Sequence, residues 1–434
     1  MRTPNYTAYR ILLAALTPAC IAPAFAAGAT KPETTFTLAA IPDTQNYLDY
    51  SHQTAEGFPF DANELFYAQL RYVARNLKSQ GGDIAFVTAL GDVWQHATLE
   101  IDPAHAARGF KAAPNPATAA MGLLPTPKAL SVETPAAKRG YELIAGKTPF
   151  SVVPGNHDYD ATWTDANHPP AAKITTAASR GVLHVGGLNN FKTVFSDQSA
   201  FFKGQPWYVA AHDDGADSAQ IFVAGGYRFL HIGLQFDPPS ASLEWAASVI
   251  KRFPGLPTII STHDYLNTAG ERLANPIIDN SVVDPQDNSP QMVWDKLISQ
   301  HDQIFLVLCG HEHGQAFRND RNHFGHTVYQ VLSDYQDRGH IASGVTSKSG
   351  AKPRIGDGWL RLMQFDMGAK TPRVQVRTYS TYYQTFSTDL PEYVQWYKPV
   401  EQPKFTDEAF EAGDDFVIEM EDFRQRFGKA EVGE

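Results

Sequence analysis

The sequence predicts an α/β fold that carries its chemistry at strand tips. Three observations support this. A helix-period segment, Asp61–Lys78, is followed by the apolar run Ile84–Ala89, and that alternation implies a parallel sheet buried on both faces. Several apolar runs end abruptly in polar clusters: Ile41-Pro42-Asp43-Thr44-Gln45, Leu90-Gly91-Asp92, Val152-Val153-Pro154-Gly155-Asn156-His157-Asp158, Ile260-Ser261-Thr262-His263 and Leu308-Cys309-Gly310-His311-Glu312-His313. Toward the C-terminus the pattern changes to short alternating runs, which suggest an antiparallel edge or a second sheet.

In chain order, the basic residues Arg2 and Arg10, the short apolar run Ile11–Ile21 and Ala24-Phe25-Ala26 read as a signal peptide over 1–26, with the mature chain starting at Ala27. Secretion or periplasmic export is the expectation. A lipoprotein reading would need Cys20 as the acylated residue, against poor spacing and Pro18. No other stretch reads as a transmembrane helix. Cleavage would leave Cys309 as the lone cysteine, so no internal disulfide is expected; it reads as a small buried hydrophobe.

Thr35–Ala40 reads as the first strand. The helix over Asp61–Lys78 shows one apolar face in Phe66, Leu70, Val73 and Leu77, with Asp61 and Glu64 as a capping box and Gly81-Gly82 as its end. Residues 97–135, rich in Ala, Pro and Thr, read as an insertion over the strand tips, a tolerated surface loop rather than a substrate rim. A short helix over Ala136–Ala145 precedes the Val152-Val153 strand, and 160–226 reads as irregular and aromatic-rich. Then follow strand Phe229–Leu234, a Ser-capped helix Ser240–Phe253, strand Thr258–Thr262, a helix from Ser289-Pro290 to Ser299 and strand Ile304–Leu308. The alternating runs are Thr327–Leu332, Leu360–Phe365, Val374–Thr378 and Phe416–Met420. The main domain is expected to span 27–370, with 371–434 as C-terminal strands and a charged tail packed on it.

The hydrophobic fraction of 43% is ample for a large core, and 12% aromatics excludes a disordered acidic chain. Net charge is −11, which argues against holding duplex nucleic acid by phosphate neutralisation. The strand tips offer carboxylate, amide oxygen and imidazole together, a donor mix that suits divalent first-row metals. A carboxylate such as Asp92 can bridge two ions about 4 Å apart, as two-metal hydrolytic sites require. Singly, Asp43 could be a turn residue, Gln45 a surface polar group, Asp92 a loop cap and His263 a core histidine; adjacent imidazoles in Gly310-His311-Glu312-His313 have little structural purpose.

Taken in order, these blocks resemble the calcineurin-like metallophosphoesterase superfamily, over about residues 35–335. The resemblance implies a two-sheet α/β sandwich flanked by helices, with two divalent ions (Mn, Fe or Zn) at the strand tips. Asp43, Gln45, Asp92 and His313 would hold the first ion. Asp92, Asn156, His263 and His311 would hold the second, with Asp92 bridging. His157 would contact the phosphate and protonate the leaving oxygen, and Asp158 would orient His157 or its loop. Gln45 departs from the family, which more often has His there. Its amide oxygen is a harder ligand, so a weaker first site shifted toward Mn or Fe is expected. Gln95 stands where purple acid phosphatases place Tyr, so iron-tyrosinate chemistry is not expected. Residues after about 370 are too few for the C-terminal domain of secreted 5′-nucleotidases.

The implied activity is hydrolysis of small-molecule phosphate mono- or diesters by a metal-bound hydroxide. The alternative is a binding protein that keeps the fold without turnover. Trp94, Trp163, Trp207, Tyr208 and Tyr265 could rim a substrate pocket or be core. Among the remaining histidines, His96, His168, His212 and His231 read as structural or surface residues. Substrate and oligomeric state are not readable from the sequence.

Overall fold

The computed structural model describes residues 33–161, 166–173, 175, 186–273, 278, 280–345, 353 and 355–428. The expected signal peptide and Trp163 lie outside them. In chain order the strands are β1 (Thr35–Ile41), β2 (Ile84–Ala89), β3 (Phe150–Val152), β4 (Tyr208–His212), β5 (Asp217–Ala224), β6 (Tyr227–Gly233) and β7 (Thr258–Ser261). They continue as β8 (Ile304–Cys309), β9 (Gly314–Arg321), β10 (Thr327–Asp334), β11 (Trp359–Asp366), β12 (Arg373–Ser380), β13 (Thr385–Phe386) and β14 (Asp415–Glu419).

Two mixed sheets result, each of seven strands. The first runs β13-β12-β11-β1-β2-β3, with β14 paired to β12. Its β1, β2 and β3 are parallel, and β11, β12, β13 and β14 extend it antiparallel. The second runs β4-β5-β6-β7-β8-β10-β9, with β6, β7, β8 and β10 parallel. Strands β2 and β8 are buried at every position, as a parallel sheet covered on both faces demands.

Alternation along β1 builds the layers. Phe36, Leu38 and Ala40 join the core shared with Phe222, Phe229 and Phe365, whereas Ala39 and Ile41 join a second core. The inner layer holds stacked rings, Phe36 on Phe365 at 4.6 Å and Phe86 on Phe222 at 4.5 Å. The second core packs the first sheet against helices Asn63–Arg75, Thr134–Tyr141 and Asn189–Phe195. Helix Ser240–Arg252 buries Leu243, Ala246, Val249 and Ile250 in the core that lines the second sheet. The architecture is an α/β two-sheet fold. Among the described residues, no helix is long and apolar enough to cross a membrane.

Several local expectations are corrected. Asp61 accepts from the amide and hydroxyl of Thr54 instead of capping its helix, which spans only Asn63–Arg75. Ser240 does not cap its own helix; its hydroxyl lies 3.3 Å from the Asn288 side-chain amide. Of the two placements expected for Thr327–Leu332, an antiparallel edge or a second sheet, β10 takes the second, inside that sheet, parallel to β8 and antiparallel to β9. The stretch 160–226 read as irregular contains β4 and β5. The polar residues that hid β5, Asp217, Ser218 and Gln220, are all buried, and Gln220 bonds His231 at 2.8 Å.

Candidate metal centre

The parallel strands end together. Asp43 lies two residues beyond β1, Asp92 three beyond β2, Asn156 four beyond β3, and His263 and His311 each two beyond β7 and β8. The first three come from one sheet and the last two from the other. The crowding explains the glycines in these motifs. A Cβ on Gly155 would stand 2.3 Å from both the amide nitrogen and Oδ1 of Asp92, and one on Gly310 would stand 2.2 Å from Asp43 Oδ1. Asp92 and His311 adopt φ of 48° and 72°, left-handed backbone that bulky residues seldom hold and that clusters at functional sites.

His263 stands at the middle and is fully buried. Its Nδ1 donates to the Leu90 carbonyl at 2.8 Å, which turns the lone pair of the neutral ring to Nε2. Around that atom lie Asn156 Oδ1 at 3.0 Å, Asp92 Oδ1 and His311 Nδ1 each at 3.2 Å, and Asp43 Oδ2 at 4.0 Å. Ligand atoms of Asp92, His263 and His311 all lie within 4.8 Å of one another. Burial opposes charge on His263, yet Asp92 and Asp43 override it and push its pKa up to about 10. Asp43 is held well above the usual carboxylate range by burial, then by Asp334 and Asp92. Burial works against the Asp92 charge too, but His263 and His157 hold its carboxyl below that range. These shifts share one cause: acceptors and lone pairs crowded into a dry site that calls for positive charge.

Atoms without a hydrogen-bond partner agree. Asp43 Oδ1 and Gln45 Oε1 are both buried orphans. Unsatisfied buried acceptors are costly, and a divalent cation would satisfy them. The residues therefore fit a metal.

No protein-family model matches the chain. The chain is 22% identical over 240 residues to the uncharacterized protein YvnB of Bacillus subtilis (strain 168), an alignment covering 54% of this chain and 14% of that protein. A solved structure, GAP50, the anchor in the inner membrane complex of Plasmodium, overlaps 81% of this chain and 87% of its own at 10% identity, with a TM-score of 0.37. That overlap is too loose to carry an argument.

The set expected for the first ion is drawn together less tightly. Gln45 Nε2 donates to Asp92 Oδ2 at 3.3 Å and to the side-chain oxygen of Gln336. His313 turns Nδ1 to Asp337 at 2.7 Å and Nε2 to the Gln336 amide at 2.7 Å. Its side chain is 41% exposed, against 0% for His263, so this edge of the site faces solvent. Asp334, Gln336 and Asp337 were missed in the sequence, although they follow the run Thr327–Leu332 as the other tips follow theirs. Asp334 is buried and pushed up to about 7, chiefly by that burial.

His157 donates its amide to Asp92 Oδ1 at 2.8 Å and its Nδ1 meets the Gln95 carbonyl at 2.7 Å. Its Nε2 is 3.9 Å from Asp92 Oδ2, beside the centre. Asp158 is fully buried and accepts the amides of Val93 at 2.9 Å and Gly155 at 2.8 Å. It orients the loop, not the imidazole. Trp94 and Tyr265 are core, and Trp207 and Tyr208 pack half-buried against the second core. His231 is buried between Gln220 and Ser261, and His212 pairs with Asp217.

A second group, Asp49, His96 and Glu133, also brings potential ligand atoms within 4.8 Å. Here both His96 nitrogens are engaged, Nδ1 by Glu133 at 2.7 Å and Nε2 by the Gly122 carbonyl at 3.0 Å. The Glu133 oxygens also accept the amides of Tyr50, Gln95 and His96, so this group is a satisfied buried ion pair and, unlike the strand-tip cluster with its orphaned Asp43 and Gln45 oxygens, has no call for a cation.

Proposed function

We propose that the chain is a metal-dependent phosphoester hydrolase of the calcineurin-like metallophosphoesterase superfamily, acting on mono- or diesters. The observation that carries the reading is the convergence of Asp92, Asn156 and His311 on the lone-pair nitrogen of a fully buried His263. Asp92, Asn156, His263 and His311 would hold one divalent ion; Asp43, Gln45, Asp92 and His313 would hold the other. Bound there, such ions would supply positive charge to a phosphoryl group and acidify water.

The chain's own groups supply the rest. The Gln95 carbonyl fixes Nδ1 of His157 as a donor, so Nε2 is the nitrogen at which the ring gains or gives up a proton. That position suits protonation of a leaving alkoxide. The His157 amide holds Oδ1 of Asp92, and Asp158 holds the two loops that carry them. One observation favours the non-catalytic reading: the His313 Nε2 bond to Gln336, which ties up a nitrogen the first ion needs.

The test joins metal content to turnover. Bound Mn, Fe and Zn are determined on the purified chain, then bis-p-nitrophenyl and p-nitrophenyl phosphate are assayed with each metal restored. Two ions with turnover of either ester are expected, and His157→Ala should keep its metal while losing turnover of phenyl esters, whose leaving group needs a proton, far more than of p-nitrophenyl esters. Metal without turnover favours the binding reading. No bound metal would overturn the site.

A further inference from the structure

We infer that Glu133, at the end of the Pro-rich insertion, is a positioning residue for His157, acting through the single peptide unit that joins Gln95 to His96. The inference rests on the reading of His157 as the proton donor. The insertion ends in a wide helical turn, Ala129–Glu133, that delivers the Glu133 side chain into the protein at 0% exposure. A carboxylate buried that deeply is tolerated only when its oxygens are satisfied. Here Oε1 accepts the Tyr50 amide at 3.0 Å and His96 Nδ1 at 2.7 Å, while Oε2 accepts the amides of Gln95 at 3.2 Å and His96 at 3.0 Å.

The His96 N–H and the Gln95 C=O belong to one planar trans peptide, so they point in opposite directions. Glu133 grips the N–H end. The C=O end meets His157 Nδ1 at 2.7 Å. The carboxylate thereby fixes where the carbonyl stands, and its charge polarises the peptide and strengthens the carbonyl as an acceptor. The imidazole tautomer and its aim toward Asp92 are both set by a residue of the insertion. His96 braces the same unit from its side chain, with Nε2 on the Gly122 carbonyl, also in the insertion.

A merely structural carboxylate would affect all substrates alike, so the test varies the leaving group. Metal-loaded wild type, Glu133→Ala, Glu133→Gln and His157→Ala are compared on p-nitrophenyl phosphate, whose leaving group needs no protonation, and phenyl phosphate, whose leaving group does, or on the corresponding diesters where wild type hydrolyses only those. For Glu133→Ala, kcat on the phenyl ester is expected to fall about 10- to 100-fold, a partial loss of the roughly 10²- to 10⁴-fold that a general acid contributes. KM, metal content and kcat on the p-nitrophenyl ester should stay within about threefold of wild type, a margin set by that same range. Glu133→Gln keeps one acceptor oxygen and the side-chain volume; it should show the same selectivity at smaller size, and it decides the matter if Glu133→Ala does not fold. In a His157→Ala background, either substitution should add nothing. An even loss on both esters, an additive loss in that background, or no loss overturns the inference alone. A wild type inactive on both leaving groups as monoesters and as diesters, or a His157→Ala variant without leaving-group selectivity, overturns the functional reading and the inference with it.

Discussion

Arg338 ties the C-terminal segment to the loop that carries Asp334, Gln336 and Asp337, and its removal has a calculable cost. The guanidinium is fully buried. Its Nε donates to both Glu401 oxygens at 3.0 Å, and Nη1 donates to the two Asp414 oxygens at 3.0 and 3.1 Å. Both carboxylates are equally inaccessible, at 1% and 0%. Arg338→Met preserves much of the apolar bulk and deletes the charge and its fork, and with them the guanidinium contact over Tyr335 at 4.3 Å. Asp414 keeps a neighbour in Arg361 at 3.8 Å; among the described residues Glu401 has no second cation within ion-pair reach. The lesion is therefore one stranded carboxylate, and breaking a buried pair from one side costs about 3–5 kcal/mol. With about 2.1 cal/mol/K of unfolding entropy per residue and about 400 folded residues, that lowers Tm by about 4–6 °C. Thermal unfolding followed by circular dichroism reads it directly. Adding Glu401→Gln to Arg338→Met should recover at least half of the loss, because the stranded charge is gone. A Tm within about 1 °C of wild type, on that same entropy scale, or a double variant no better than the single, would refute the reasoning.

Two further outcomes follow from other parts of the molecule. Gly155→Ala forces a Cβ to within 2.3 Å of Asp92 and 2.8 Å of His263 Cε1; overpacking of this kind costs about 1–3 kcal/mol, so Mn affinity measured by calorimetry should weaken about tenfold, and a binding curve superimposed on wild type would show that the backbone yields freely. His96 is opposed by burial but raised to about 9, chiefly by Glu133. Its folded-state pKa lies above the unfolded value of about 6.5, so its contribution, about 3 kcal/mol at most, is complete below pH 6.5 and lost as pH rises through 9. The stability gap between wild type and His96→Gln should accordingly be wider at pH 6 than at pH 9.5, and a gap that is constant or grows with pH would reject the ion pair.

What the sequence made legible divides along physical lines. Buried parallel strands announce themselves as unbroken apolar runs, and β2 and β8 were readable for that reason. A polar cluster directly after such a run has few structural uses, which exposed Asp43, Asp92, Asn156, His263 and His311 together. Strands with polar interiors were not legible: β5 buries Asp217, Ser218 and Gln220, and β9 alternates Phe317 and Asn319 with the charged side chains of Arg318 and Asp320. Their partners come from other strands, so no local pattern marks them. Glu133 escaped for the same reason. Its function depends on amides of residues 95 and 96, nearly 40 positions away, and within an Ala- and Pro-rich stretch a single Glu reads as solvated. The insertion is not the plain surface loop its composition suggests, because its last turn enters the wall of the site.

The candidate site depends on how the two sheets meet, since each contributes residues of the proposed ligand set. Apolar rings alone would leave their lateral register soft, because stacked and tilted contacts such as Phe36 with Phe229 at 5.4 Å tolerate sliding. Close beneath the strand tips the packing is different. Thr88 of β2 donates to Ser261 of β7 at 3.0 Å, and Ser261 meets His231 of β6 at 2.8 Å, which in turn meets Gln220 of β5 at 2.8 Å. Burial drives the His231 pKa down to about 3, so this ring stays neutral and acts as a fixed donor–acceptor link. Directional bonds in a dry interior penalise displacement steeply. Thr88 is four residues before Asp92 and Ser261 two before His263, so the chain pins the sheets within a few residues of the proposed ligands. That placement answers the requirement that a metal constellation be held to about 0.5 Å, and it gives a buried histidine outside the centre a reason to be there.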